Sequence, residues 1–389
     1  MKKKIVNKKN IIFISIQDLD ERNYKRFGFN IFLKKGWNIN YLYFRYFFRK
    51  YKNPNYPTFR GVNYKVINLW NFLQNIKEFS DGQKYFYVDY GGSILTKVFC
   101  YILYVMKNTK VRATTNLLPI DEIDNYLSFK NKRNLFISLI LKGHFKELIS
   151  LILNKISNYL FVNKPNVVIA TCEKEKKRFK ADKSIHVIEG HCMDYDITIR
   201  KKNNDKLDKG IVFIDQAIAN HPDIKLLNLN HKYSYDLYWR EISHFLEFLK
   251  KHYNLPISIC AHPRNKNLKL PTKDFKIYYK KTPEIIAKSR LVVAHDSTAV
   301  NYAILYNKPI IFLTSDYINK YRFKHIHSAA KELGLKPINL NKKKLKLISL
   351  DQFNKDKYNE YTFNYIKTFN SPEKKYWDIA INALEKYLN

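Results

Sequence analysis

Short, nearly continuous apolar runs alternate with helical stretches along the whole chain, a pattern that admits few folds other than parallel sheets covered by helices. In the first half the runs are Ile11–Ile16, Ile39–Phe44, Tyr85–Tyr90, Val111–Asn116, Asn166–Thr171 and His186–Gly190, with helical patterns at Leu95–Met106 and Glu173–Phe179. Arg200–Gly210 is polar, lacks apolar periodicity and reads as a linker. Beyond it the same grammar restarts with Ile211–Asp215, a long helix Asp236–His252, then Ile257–His262, Phe275–Tyr279, Leu291–His295, a helix from about Ser297, and Ile310–Thr314. Runs this apolar suit strands covered by helices on both faces. The pattern predicts an α/β chain of two Rossmann-like domains facing across a cleft, residues 1–205 and 206–389. The last helix, at about 372–388, is placed to cross back to the first domain.

Composition supports that division. A length of 389 residues suits two domains at about 150 residues each. With 46% hydrophobic and 15% aromatic residues the chain can bury real cores, which excludes disorder. Only 10 glycines occur, and neither GxGxxG nor GxxxxGK[ST] is present, so those two nucleotide-binding fingerprints are excluded. Cys100, Cys172, Cys192 and Cys260 lie far apart without a CxxC pair, which points to a reducing cytoplasm. The apolar part of the basic amino terminus stops at Gln17 and Asp18, shorter than a signal-peptide core. The apolar stretches Ile94–Met106 and Leu135–Leu141 fall short of the ~20 residues a bilayer span needs.

Seventy Lys and Arg against 34 Asp and Glu give a net charge of +36, which concentrates polyanions around the chain without choosing among them. Lysines are spread over the whole length, and no recognition helix or RNP-type aromatic strand is evident, so nucleic acid is not the expected partner. Asn134–Leu160 places Leu, Ile and Phe at helical spacing around Lys142, Lys146 and Lys155. A basic amphipathic helix of that kind can lie on an anionic membrane surface, and a pair of core helices broken near Gly143 is the other reading.

Polar turns follow two strands of the second half. Leu291–His295 runs into Asp296, Ser297 and Thr298, where free N–H groups and hydroxyls at a helix start can hold a phosphate; ordinary capping by Asp296 or Ser297 is the alternative. Ile257–Cys260 runs into Ala261, His262, Pro263 and Arg264. There the imidazole can bond or protonate a leaving phosphate, the proline stiffens the turn and the arginine adds charge. Ligands of open parallel sheets collect at such carboxyl ends.

On these residues the chain resembles bacterial GT-B glycosyltransferases of capsule and lipopolysaccharide synthesis. The similarity is greatest to the CMP-sugar-using sialyltransferase, polysialyltransferase and Kdo transferase groups, which pair an HP motif with a later Ser-Ser or Ser-Thr turn, here His262-Pro263 and Ser297-Thr298. The stretch His295–Phe312 also looks like CDP-glycerol polymerases of wall teichoic acid synthesis. The resemblance covers about residues 211–314. It implies that His262 contacts the donor phosphate and acts as general acid, that Ser297 and Thr298 bind the same phosphate, and that neither metal nor cofactor is required. The implied partners are a nucleotide-sugar donor, CMP-linked, a glycan or lipid-linked glycan acceptor, and the inner face of the cell membrane. A CDP-glycerol-type transferase, a UDP-sugar transferase and a basic nucleic-acid-binding protein are the alternatives.

Sugar transfer also needs a carboxylate as base or nucleophile. Asp215, ending the opening strand of the second domain, is the first candidate; Glu189 and Asp89 are its competitors in the first. The sialyltransferase groups carry an acidic-acidic-Gly motif, of which Ile188-Glu189-Gly190 keeps one acid. The acidic spots at 18–20 and 121–124 read as solvated loops, and His191, His221 and His295 have no metal-site spacing.

Overall fold

A computed structural model describes residues 9–44, 59–114, 160–161, 163–199, 210–219, 233–262, 265, 268, 270, 274–318, 320–342 and 353–388. The first lobe contributes β1 (Asn10–Ser15), β2 (Asn38–Phe44), β3 (Val62–Ile67), β4 (Phe86–Tyr90), β5 (Thr109–Ala113), β6 (Val167–Ala170) and β7 (His186–Glu189). The second contributes β8 (Ile211–Ile214), β9 (Ile257–Ala261), β10 (Lys276–Tyr279), β11 (Leu291–Ala294), β12 (Ile310–Thr314) and β13 (Ile338–Asn339). The strand orders are β3-β2-β1-β4-β5-β6-β7 and β10-β9-β8-β11-β12-β13. Counted from its own first strand, each sheet begins 3-2-1-4-5-6, the doubly wound Rossmann order, and all pairings within the sheets are parallel. The fold class is the α/β one expected.

Alternation along β1 shows why an unbroken apolar run is needed. Ile11 and Phe13 enter a cluster with Phe29, Phe32 and Trp377, while Ile12 and Ile14 enter another with Phe99 and Leu103. Each such side chain contributes roughly 1.5–3 kcal/mol by leaving water. Helix limits follow side-chain chemistry. Ser93 caps Ile94–Val105 by accepting the Thr96 N–H, and Ser234 caps Tyr235–Tyr253 through Leu237. The latter helix stops at Asn254, whose φ of 51° is left-handed.

The lobes are tied by two neighbouring chain crossings. After β7 the Cys192 N–H donates to the Ile366 carbonyl (2.7 Å), and the returning Thr368 N–H donates to the Gly190 carbonyl (2.9 Å). His191 is locked between them, with Nδ1 2.7 Å from Ser371 Oγ and Nε2 2.7 Å from Asp196 Oδ1. It is therefore a strut of the crossing. The helix Met193–Ile199 then packs on Val300–Leu305 of the second lobe, where Asp194 accepts Tyr302 Oη (2.7 Å) and Asn301 Nδ2 (3.1 Å).

The last helix, Tyr376–Leu388, lies on the first lobe. Tyr376, Trp377, Ala380, Ile381 and Leu384 complete the core beside Phe13 and Phe32. Trp377 Nε1 donates to the Arg26 carbonyl (2.7 Å), and Glu385 pairs with Lys9 (2.9 Å). Gly28 makes room for this docking: its φ is +64°, and a Cβ there would lie 2.5 Å from the Trp377 ring.

Several limits differ from the sequence expectation. β3 was not expected, because Val62, Asn63, Tyr64 and Lys65 mix polar and apolar residues on an edge strand. β13 is only two residues beside β12. The run expected at 111–116 forms β5 at Thr109–Ala113, and the helix expected from Ser297 begins at Val300 after a turn. Residues 200–209, which hold the expected linker and domain boundary, and residues 134–159 of the expected amphipathic stretch lie outside the described residues. Among the described residues no helix is long and apolar enough to cross a membrane.

Candidate functional site

The order of the second sheet reverses between β8 and β11, so its ligand crevice is expected at the carboxyl ends of those strands. Three turns meet there. β8 ends at Asp215 and Gln216, β9 at His262, and β11 at His295 to Thr298.

Asp215 welds the first two turns. Only 2% exposed, it accepts the Ala217 N–H on Oδ1 (2.7 Å) and both the His262 N–H (3.1 Å) and Asn265 Nδ2 (3.3 Å) on Oδ2. Burial pushes its carboxyl up from the usual range while the Ala217 and His262 N–H groups pull it back. These bonds give Asp215, expected as base or nucleophile, a positioning role as well. A carboxylate bonded to N–H donors inside the turn orients the His262 loop.

Asp296 welds the third turn to the first. Its Oδ1 accepts Gln216 Nε2 (2.9 Å) and Arg322 Nη1 (2.9 Å), while His325 Nδ1 stands 3.9 Å from Oδ2. Asp296 was expected as a donor-binding residue, but a carboxylate repels phosphate, and this one instead holds a guanidinium at the strand ends. Arg322 and His325 belong to the helix Lys320–Glu332 after β12 and went unnoticed in the sequence, as did Gln216. Burial lowers the His325 pKa, which favours its neutral form beside the Arg322–Asp296 pair.

Ser297 accepts the Ala299 N–H (3.2 Å), and Thr298 is exposed at the same turn. Val300–Leu305 is a short helix, so the phosphate-holding capacity of this turn rests on its hydroxyls and neighbouring N–H groups more than on a helix dipole. His262 is half-buried on the second turn. Pro263 and Arg264 lie outside the described residues, as do His221 and the acidic spot at 121–124.

His295 is a core residue. Fully buried, it places Nδ1 2.8 Å from the Leu313 carbonyl and Nε2 3.3 Å from Tyr238 Oη. Burial lowers its pKa from 6.5 to about 4. The unfolded chain therefore takes up a proton that the folded chain refuses, so the stability His295 gives is complete above pH 6.5 and is lost as pH falls toward 4. The full effect is of order 3 kcal/mol. Melting temperatures of wild type and His295→Asn measured between pH 7 and 4 should diverge, with the variant losing less on acidification; parallel curves would contradict this.

In the first lobe the candidate carboxylates lie apart from these turns. Glu189 ends β7 at the sheet edge and pairs with Lys176 (2.8 Å) and Lys180 (3.7 Å). Burial raises its pKa, and the Lys176 bond together with the charges of Lys176 and Lys180 and the Asn370 main chain leaves it lowered. A carboxylate held by two ammonium groups is a weaker base than a free one. Asp89, at the end of β4, accepts the Gly91 N–H (2.8 Å) and shapes the turn before Ser93. Asp18 accepts Tyr64 Oη (2.9 Å), and Asp20 caps the helix Glu21–Arg26.

Glu21, after β1, feels the charge of Lys280, after β10, and Arg26 feels Asp194 and Tyr302. Among the described residues no group of three His, Cys, Asp or Glu is placed to hold a metal, and all four cysteines are buried thiols.

No family model matches the chain, and no curated protein matches it. Solved structures do. The UDP-GlcNAc 2-epimerase from Methanocaldococcus jannaschii shares 14% identity, covering 97% of this chain and 99% of that one, with a TM-score of 0.46. A ugt transferase from Siraitia grosvenorii in complex with UDP shares 10%, covering 90% of each, with a TM-score of 0.46. Medicago truncatula UGT71G1 complexed with UDP-glucose shares 12%, covering 96% of this chain and 94% of that one, with a TM-score of 0.46. The chemistry of the cleft rests on its own side chains.

Proposed function

We propose that this chain is a GT-B glycosyltransferase that seats a nucleotide-sugar donor on the strand ends of its second sheet. It passes the sugar to a bacterial surface glycan, in capsule or lipopolysaccharide synthesis. The supporting observation is the welded set of turns: Asp215 fixes the His262 loop, Gln216 reaches Asp296, and Asp296 holds Arg322 beside Ser297 and Thr298. Preorganised donors at one point suit a departing phosphate, because no reorganisation is needed when its charge develops.

His262 is assigned to the donor phosphate as ligand and general acid, and Ser297 and Thr298 to the same oxygens. The donor is CMP-linked in this reading. Arg322 is balanced by Asp296, so the described turns offer hydroxyls, N–H groups and imidazole more than net charge, which suits a monophosphate better than a diphosphate. The enzyme works in the cytoplasm, peripheral to the membrane, where the +36 surface gathers anionic donor and anionic lipid carrying the acceptor.

Melting with CMP, CDP or UDP tests the donor. A ligand at a hundred times its Kd stabilises by about 2.7 kcal/mol, so CMP should raise Tm by a clear margin at millimolar concentration. A larger rise with UDP would move the donor to a UDP-sugar, and no rise with any nucleotide would remove the donor site. Phosphate retained in the product would make the reaction polyol-phosphate transfer.

A further inference from the structure

We propose that the turn between β3 and the helix Phe72–Glu78 is a wedge that presses into the surface of an anionic lipid bilayer. The chain has four tryptophans. Trp37, Trp239 and Trp377 are each 2% exposed, whereas Trp70 is 96% exposed, flanked by Leu69 at 51% and Leu73 at 75%. Three large apolar side chains together at one exposed turn are out of keeping with a surface that faces only water.

The turn is rigid without them. Asn68 Oδ1 accepts the N–H groups of Trp70 (2.9 Å) and Asn71 (3.1 Å). Asn71 Oδ1 accepts the Asn68 N–H (2.8 Å), and Asn71 Nδ2 donates to the Val66 carbonyl (2.8 Å). The apolar side chains therefore do not hold the turn; the turn holds them out. The N–H groups of Asn68, Trp70 and Asn71 are already bonded within the turn, which lowers the cost of moving it out of water.

Lipid fits better than a second copy. Two chains of charge +36 repel, whereas an anionic membrane attracts them. Tryptophan settles at membrane interfaces, with its ring at headgroup level. Next to the wedge a concavity of about 280 Å3 is lined by Lys65, Val66, Asn71, Gln74, Asn75 and Glu78, with Lys65 paired to Glu78. The wedge sits at the carboxyl end of the edge strand β3. Its use in meeting a lipid-linked acceptor rests on the transfer reaction proposed above; the lipid contact itself does not.

The full chain is mixed with vesicles of phosphatidylcholine alone or with phosphatidylglycerol, and tryptophan emission and acrylamide quenching are followed. Without vesicles Trp70 should be the readily quenched tryptophan. With phosphatidylglycerol, emission should shift to the blue and that quenching should be lost. Trp70→Ala should keep its melting temperature and its response to nucleotides yet partition about tenfold less, and Trp70→Phe should recover part of the loss. Equal partitioning by Trp70→Ala, or binding with Trp70 still quenchable, would overturn the wedge, as would a Trp70 already shielded in dilute vesicle-free protein. Because nucleotide response is read separately, failure of the wedge and failure of the donor site are distinguishable.

Discussion

Replacing His262 with alanine is expected to lower kcat by roughly 10²- to 10⁴-fold, the usual share of a positioned acid or phosphate ligand. The fold should survive, because what anchors the loop is the His262 main-chain N–H on Asp215, which alanine keeps. Ser297→Ala should act on binding instead, weakening the nucleotide by about tenfold through one lost hydrogen bond. Asp215→Asn separates positioning from proton transfer. It exchanges an acceptor oxygen for an amide that faces N–H donors, so melting temperature and turnover should fall together. Steady-state kinetics with the true donor, alongside melting curves, give the answer; full turnover by His262→Ala removes the imidazole from the mechanism.

Asp194→Ala should produce the largest loss of stability outside the hydrophobic cores. The carboxylate is buried and accepts Tyr302 Oη and Asn301 Nδ2 across the lobe boundary. Burial pushes the Tyr302 phenol far above its ordinary range, so its proton stays in place and needs an acceptor. Removing that acceptor orphans two buried donors at ~1–3 kcal/mol each. Asp194→Asn keeps one acceptor oxygen and should lose about half as much. Calorimetry of the two variants decides it, and an unchanged alanine variant would mean that the lobe contact carries no stability.

Reading the chain from its residues recovers the parts that local chemistry dictates. Apolar runs such as Ile11–Ile16 and Leu291–His295 announce strands, because a strand covered on both faces has no place for a polar side chain. Turns follow those strands, so His262 and Ser297 could be named in advance. Strand order could not, since the pairing of β11 with β8 and β12 is decided by packing and not by either strand alone. Edge strand β3 escaped because its polar residues face water. Arg322 escaped for a different reason: among 70 Lys and Arg, nothing local marks the one that a strand-end aspartate holds. The carboxylates show the same limit. Asp215 and Glu189 both sit at strand ends as read, but only the folded chain shows one engaged by amides and the other by lysines. Asp194 is invisible until Asn301 and Tyr302 arrive from another lobe.

Trp377, Ile381 and Leu384 fill a core that otherwise belongs to residues 11–188, with Phe13, Phe32 and Trp37 among them. On the ribosome, that core must stay open on one side until Leu384 has emerged, whereas the strands of the second sheet are all available earlier. Synthesis order and folding order therefore run in opposite directions for the two lobes: the one translated earlier is the one that closes later.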